Sequence, residues 1–195
     1  MKSRLVILGV TVGLSLSGAS RADEPIYCPA TGNYYEYVEQ SGVVWVDAVT
    51  AAENSTFNGV VGHLLTVTST HESECVTESS LLPPADPTGG NAVWVGGLQI
   101  CDPPLCNEPG EGWMWITAEA MDWLNWCIGE PNNTGGSEDH MELLVDEGGQ
   151  AERGCWNDVW GTATWQLGYV IEYPTAIFSD GFESGDTSAW SSSVP

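Results

Sequence analysis

Apolar and polar residues change period repeatedly along the chain, and each change marks an element. Residues 34–46 alternate loosely, with Tyr35, Tyr37, Val43, Val44 and Trp45 as the large members. This predicts a strand or hairpin with a turn near Gln40-Ser41-Gly42. From Trp45 the period lengthens to Trp45, Ala48, Val49, Ala52, which predicts an amphipathic helix over 45–57, ended before Asn58-Gly59. A short strand follows at 63–67. Ser69 with Glu72 has the form of a capping box opening a second helix through about Ser80, and Pro83-Pro84 and Asp86-Pro87 stop it. A turn at 88–91 leads into a core strand at 93–98. Residues 99–111 form a loop with two cysteines and paired prolines. Strands are predicted at 113–116, 139–145, 155–159 and 167–173, with a long loop running to Ser137 and a turn at 146–154. Residues 118–126 are helical on propensity alone.

The ends of the chain have a different character. Lys2 and Arg4 precede an apolar run from Leu5 to Leu16, then Ser20-Arg21-Ala22. This pattern reads as a secretory signal over residues 1–22, and the apolar run is shorter than the roughly 20 residues a membrane span needs. A central domain is expected over 23–174. Residues 175–195 are acidic and Ser-rich, around Phe178-Ser179-Asp180-Gly181-Phe182-Glu183-Ser184-Gly185-Asp186. They are too few for a core of their own and read as a flexible tail.

Charge narrows the range of partners. All 27 acids lie beyond Ala22, and Arg153 is the one Lys or Arg that remains there, giving the exported chain a net charge of −26. Such a chain repels nucleic acid and anionic membranes and attracts cations. Most of this acid serves solubility. The six cysteines, an even number, point to disulfides and an oxidising compartment, secreted or at the cell surface. Fifteen connectivities are open to six cysteines. Cys101 and Cys106 suit a small local loop. Pairing Cys127 with Cys155 would join two acid-rich clusters, leaving Cys28 for Cys75.

Those clusters carry the candidate chemistry. Glu130, Asn132, Glu138, Asn157 and Asp158 offer only oxygen ligands, with no Lys between them. Calcium takes six to eight oxygens of this kind. Gly129, Gly135, Gly136 and Gly154 allow tight folding around them. A cis bond before Pro131 would point its two neighbours the same way. His63, His71 and His140 make no metal motif, and no nucleophile triad is present.

The order of motifs resembles the C-type lectin-like family over about residues 28–174. The resemblance is carried by Trp45 with Ala48 and Ala52, by 62–69 followed by Glu72, and by Trp94-Val95-Gly96-Gly97-Leu98. It continues through 112–117, Asn125-Trp126, Gly129-Glu130-Pro131-Asn132, Trp156-Asn157-Asp158 and 168–173. The resemblance implies an α+β fold, two helices flanking small antiparallel sheets with a long calcium-binding loop, and an irregular 118–126. It also implies one Ca²⁺ held by Glu130, Asn132, Glu138, Asn157 and Asp158. The Glu-Pro-Asn order is similar to that of the mannose-type class. Its members take glycans with equatorial 3- and 4-hydroxyls, such as mannose, glucose, N-acetylglucosamine and fucose, through Glu130, Asn132, Glu138 and Asn157. Asp139 resembles a ligand of the family's auxiliary calcium site, with Glu108 or Glu111 as partners.

The chain departs from the family at its cross-links. His140 and Gly161 stand where relatives carry an inner disulfide, and the cysteines of the outer one are absent. The tail resembles short segments that recur on exported bacterial proteins. Arg153 is expected in a surface ion pair rather than at a ligand. A glycosidase acid pair of Glu130 and Asp158 would require a carboxyl kept protonated, which calcium ligation opposes. The expectation is therefore a binding protein and not an enzyme. The alternative is a lectin-like module for protein binding or adhesion, or for ice, with no sugar role.

Overall fold

The computed structural model describes residues 24–85, 90–101, 106–146 and 152–175. The expected leader, the tail beyond Thr175 and most of the turns expected at 88–91 and 146–154 lie outside these residues. The elements are β1 (Ile26–Tyr27), β2 (Tyr34–Glu39), α1 (Trp45–Glu53), β3 (Thr56–Phe57), β4 (Val60–Val61), β5 (His63–Leu64), α2 (Thr70–Glu78), β6 (Ala92–Gln99), β7 (Trp113–Trp115), β8 (His140–Leu144), β9 (Trp156–Val159) and β10 (Gly168–Tyr173). No described helix is long and apolar enough to cross a membrane.

The longest path through the sheet runs β1-β2-β10-β6-β8-β9, with β5 added on β10 and β7 on β6. Strands β10 and β6 meet in parallel through Tyr169 and Trp94, while the other pairings are antiparallel. This parallel contact joins most of the strands into one mixed sheet, while β3 and β4 form a separate two-stranded antiparallel sheet. Strands β6 and β10 read as continuous apolar runs because they are buried along nearly their whole length. Trp45, Ala48 and Ala52 of α1 pack with Leu64, Trp94 and Ile171. Val76 of α2 packs in a second cluster with Leu65, Val95, Trp115 and Trp156. Two indole N–H groups clasp α1 to the sheet: Trp45 donates to the Val95 carbonyl and Trp94 to the Val43 carbonyl, both at 2.8 Å.

Helix α1 stops at Glu53, short of the predicted 57. Asn58 and Gly59 both take positive φ, 50° and 81°, so the chain turns tightly and pairs β3 with β4. That is the geometry an Asn-Gly hairpin favours. Helix α2 opens as predicted, with Ser69 Oγ accepting from the Glu72 N–H at 3.2 Å. The Glu72 carboxylate reaches back to Thr68, accepting from its N–H at 2.7 Å and its hydroxyl at 3.0 Å. Segment 118–126 is not helical. The three disulfides join Cys28 to Cys75, Cys101 to Cys106 and Cys127 to Cys155, the expected pairing. Where the inner disulfide is absent, the His140 ring lies over Gly161 and meets the Trp45 ring at 4.5 Å. A Cβ at Gly161 would fall 2.5 Å from His140 Cε1, so only glycine fits there.

Two carboxylates lie deep beside α2. Glu172 is 3 % exposed and accepts from Asn33 Nδ2 at 2.7 Å, from the Thr66 N–H at 3.1 Å and from the Thr66 hydroxyl at 3.0 Å. Glu72, also buried, accepts from the Tyr35 hydroxyl at 2.7 Å. Burial, reinforced by the charge of Glu72, pushes the Glu172 carboxyl up to about 8. The folded chain therefore holds a proton that the unfolded chain, titrating near 4.5, releases. This contribution to stability is present below about pH 4.5 and is lost as pH rises through about 8. In EDTA, the unfolding temperature is expected to fall between pH 5 and pH 8, and Glu172→Gln to flatten that slope. An unaltered slope in the variant would exclude Glu172 as its source.

Candidate functional site

The site is built where the loop after Trp126 returns to β9. Trp126 bridges Trp156, the Cys127 N–H donates to the Trp156 carbonyl at 2.9 Å, and the Trp156 N–H donates to the Asn125 carbonyl at 2.8 Å. The Cys127–Cys155 disulfide closes the same junction. These links place the loop's start beside Asn157 and Asp158. The chain then passes through the Glu130–Pro131 peptide bond, which is cis.

Asp158 is fully buried, and its carboxylate accepts two loop amides: Asn132 N–H on Oδ1 at 3.0 Å and Asn133 N–H on Oδ2 at 2.7 Å. Asn133 ties the next turn, accepting from the Glu138 N–H at 3.1 Å and donating to Glu108 at 2.6 Å. Glu138 in return accepts from the Thr134 N–H at 2.6 Å. Asn132 donates to Glu130 at 2.5 Å and accepts from the Thr134 hydroxyl. Glu130, Asn132, Glu138 and Asp158, distant in sequence, thus share one hydrogen-bonded net.

Asn157 joins from β9. Its amide nitrogen donates one hydrogen to Glu142 of β8 at 2.9 Å, which leaves the amide oxygen and the second amide hydrogen for a ligand. Glu142 is 3 % exposed and also accepts from Trp165 Nε1 at 3.2 Å and Gln166 Nε2 at 2.6 Å. Glu142, which holds Asn157 in place, is not singled out by the sequence. Its signal was an acid amid the apolar residues of a strand, where a buried charge demands partners.

The electrostatics are one-sided. Burial first, then hydrogen bonding and repulsion from Asp158, push Glu130 up to about 7. Burial also raises Glu138, with Asp158 adding to it. Burial raises Glu142 against its three donors. Arg153 does not offset this charge. Its guanidinium donates to the carbonyls of Thr77, Leu82, Pro83 and Val145, binding the end of α2 to the loop after it. The expected surface ion pair is corrected on that ground: four carbonyls take the donors instead. Among the described residues, no three Asp, Glu, His or Cys side chains gather closely enough to enclose an ion by themselves. An ion here would need the amide oxygens of Asn132 and Asn157 as well. The set is entirely oxygen, which suits a hard cation.

Asp139 is exposed and binds the His140 Nδ1 at 2.6 Å. It lines a cleft of about 240 Å³ with Glu108, Asn133 and Glu138. Glu108 therefore stands with Asp139. Glu111 is engaged elsewhere, accepting from the Asn107 N–H and Nδ2 at 2.9 and 3.2 Å, bonds that hold its carboxyl below the usual range.

The architecture is that of a C-type lectin-like domain. Among solved structures, the chain is similar to the C-type lectin CEL-I from Cucumaria echinata, at TM-score 0.54 and 19 % identity over 72 % of this chain and 89 % of that one. It is equally similar to the cow carbohydrate-recognition domain of CD23, solved with a GlcNAc2Man3 oligosaccharide, at 0.54 and 23 % over 74 % and 89 %. A calcium-independent type II antifreeze protein also matches, at 0.51 and 20 % over 78 % and 97 %. These identities speak for the fold. No protein-family model matches the chain. Halomucin of Haloquadratum walsbyi is 29 % identical over 150 residues, 73 % of this chain, and the chain spans 1 % of that protein's length.

The geometry makes Asp158 the anchor of the loop. Asp158→Ala in EDTA is expected to lower stability by about 1–3 kcal/mol, the range for stranded donors. The Asn132 and Asn133 amides should then exchange faster with deuterated water. Unchanged exchange at those two amides would contradict the anchoring role.

Proposed function

We propose that this chain is a secreted, calcium-dependent carbohydrate-binding protein of mannose type, acting by binding without turnover. The observation that carries the reading is the convergence of Glu130, Asn132, Glu138 and Asp158 in one oxygen-rich net, with Asn157 beside it and, among the described residues, no Lys or Arg to neutralise it. Mutual repulsion and burial in that net favour a bound cation. Glu130, Asn132, Glu138, Asn157 and Asp158 would hold Ca²⁺, and Glu108 with Asp139 would form the auxiliary position. Bound there, calcium supplies open coordination positions for two vicinal hydroxyls. The carboxylates of Glu130 and Glu138 accept hydroxyl protons, and the amides of Asn132 and Asn157 donate. The Glu-then-Asn order favours equatorial 3- and 4-hydroxyls, as in mannose, glucose, N-acetylglucosamine and fucose. The disulfides fit an extracellular address. A single open site binds weakly, and clustering of copies can raise avidity by about 10²–10⁴.

A second reading is a protein-binding, adhesion or ice-binding module. It draws on the likeness to a calcium-independent antifreeze protein and on the hydrogen bonds that already close Asn132 between Glu130 and Thr134.

The two readings separate on a mannose-agarose column. Sugar binding predicts retention in calcium, release by EDTA and competition by free mannose. A protein-binding module passes through in either buffer. Glu130→Gln with Asn132→Asp should shift preference from mannose toward galactose on a glycan array. An unchanged array profile would refute the selectivity argument.

A further inference from the structure

Trp160 and Trp165 are the exposed tryptophans among the described residues, at 38 % and 41 %, while the others are buried or half-buried. Both lie in the short segment directly after Asn157-Asp158, and both are fixed to the candidate site rather than free on the surface. The Trp165 indole donates to Glu142, the same carboxylate that orients Asn157. The Trp160 ring packs on the loop at Gly135, where an added Cβ would lie 3.7 Å from its Cζ2. The two rings meet edge to face with centroids 6.0 Å apart, so Trp165 braces Trp160.

Trp160 forms one wall of a cleft of about 380 Å³, with Val46, Ser137, Asp139 and Thr162 among its other linings. That size falls in the range of about 300–1000 Å³ typical of small-ligand pockets. The wall is aromatic and aliphatic, and hydroxyl and carboxylate groups stand beside it. A pyranose ring has the same division, with a face of C–H bonds and a rim of hydroxyls. Ser137 and Asp139 line this cleft and also the one that holds Glu138, so the two adjoin.

We infer that this cleft is a second sugar subsite: the residue attached to the diol-bound sugar lays its C–H face on Trp160 and its hydroxyls toward Ser137 and Thr162. The inference rests on the carbohydrate reading above and extends it, making the preferred ligand an oligosaccharide rather than a monosaccharide. Trp160 discriminates between glycans by the shape of their second residue and takes no part in holding the ion. An aromatic contact of this kind corresponds to about a twofold to tenfold gain in affinity.

The test is calorimetric titration of the full exported chain, in millimolar calcium, with methyl α-mannoside and with mannose-terminated di- and trisaccharides. The wild type should bind at least one oligosaccharide several-fold more tightly than the monosaccharide. Trp160→Ala should erase that advantage while leaving methyl α-mannoside within twofold, and Trp160→Phe, which keeps an aromatic face, should retain part of it. Oligosaccharide binding should also shift the tryptophan fluorescence of the wild type but not of Trp160→Phe. Equal affinities for short and long glycans in the wild type would overturn the subsite. So would an oligosaccharide advantage that survives in Trp160→Ala, or an equal loss for both ligands in that variant. Absence of methyl α-mannoside binding in the wild type would instead sink the carbohydrate reading, and the subsite with it.

Discussion

A single buried carboxylate organises the functional end of the molecule. Asp158 sits on β9, out of contact with solvent, and spends both oxygens on backbone amides of a loop 25 residues earlier. A charge in that position is costly unless fully paired, so the loop must come to it. With those amides bound, hydrogen bonds through Asn132, Asn133 and Thr134 bring Glu130 and Glu138 into the same net. Burial, with repulsion from Asp158 added to it, raises the proton affinity of Glu130 and Glu138. A site that strains in this way without a cation is one that a divalent ion can complete. The same arrangement explains why the loop can be long and rich in glycine without lacking a defined course.

The support for that carboxylate comes from cross-links particular to this chain. Cys127–Cys155 and the Trp126–Trp156 bridge fasten the loop's base to β9. On the neighbouring strand β8, the His140 ring lies against Gly161. The packed imidazole and the glycine close that place, and Trp45 of α1 packs on the same ring. Arg153 works in the same sense. As the sole Lys or Arg among the described residues, it caps carbonyls at and after the end of α2, where the helix dipole favours a cation.

Much of this was legible in the sequence, and the reasons differ by residue. Apolar periodicity located β6 and β10 because they are buried along their length. Ser69 and Glu72 announced α2 through local hydrogen bonding. Cys127–Cys155 was legible from its position beside the acid clusters, Cys101–Cys106 from its short spacing, and Cys28–Cys75 as the pair that remained. Asn58-Gly59 was read only as the end of a helix, although its left-handed backbone makes a hairpin, because helical spacing in α1 masked the turn. Glu142 escaped notice because its partners, Asn157, Trp165 and Gln166, converge only through the β8–β9 pairing and the return to β10. The exposure of Trp160 and Trp165 was equally hidden, since tryptophan composition does not say which rings the core leaves out.

Calcium held jointly by the loop and β9 is the claim on which the rest stands. It is tested most directly by a crystal structure of residues 23–195 grown in millimolar calcium. The predicted result is one ion bonded, at about 2.3–2.6 Å, by oxygens of Glu130, Asn132, Glu138, Asn157 and Asp158. The same side chains well ordered around an empty position would contradict it.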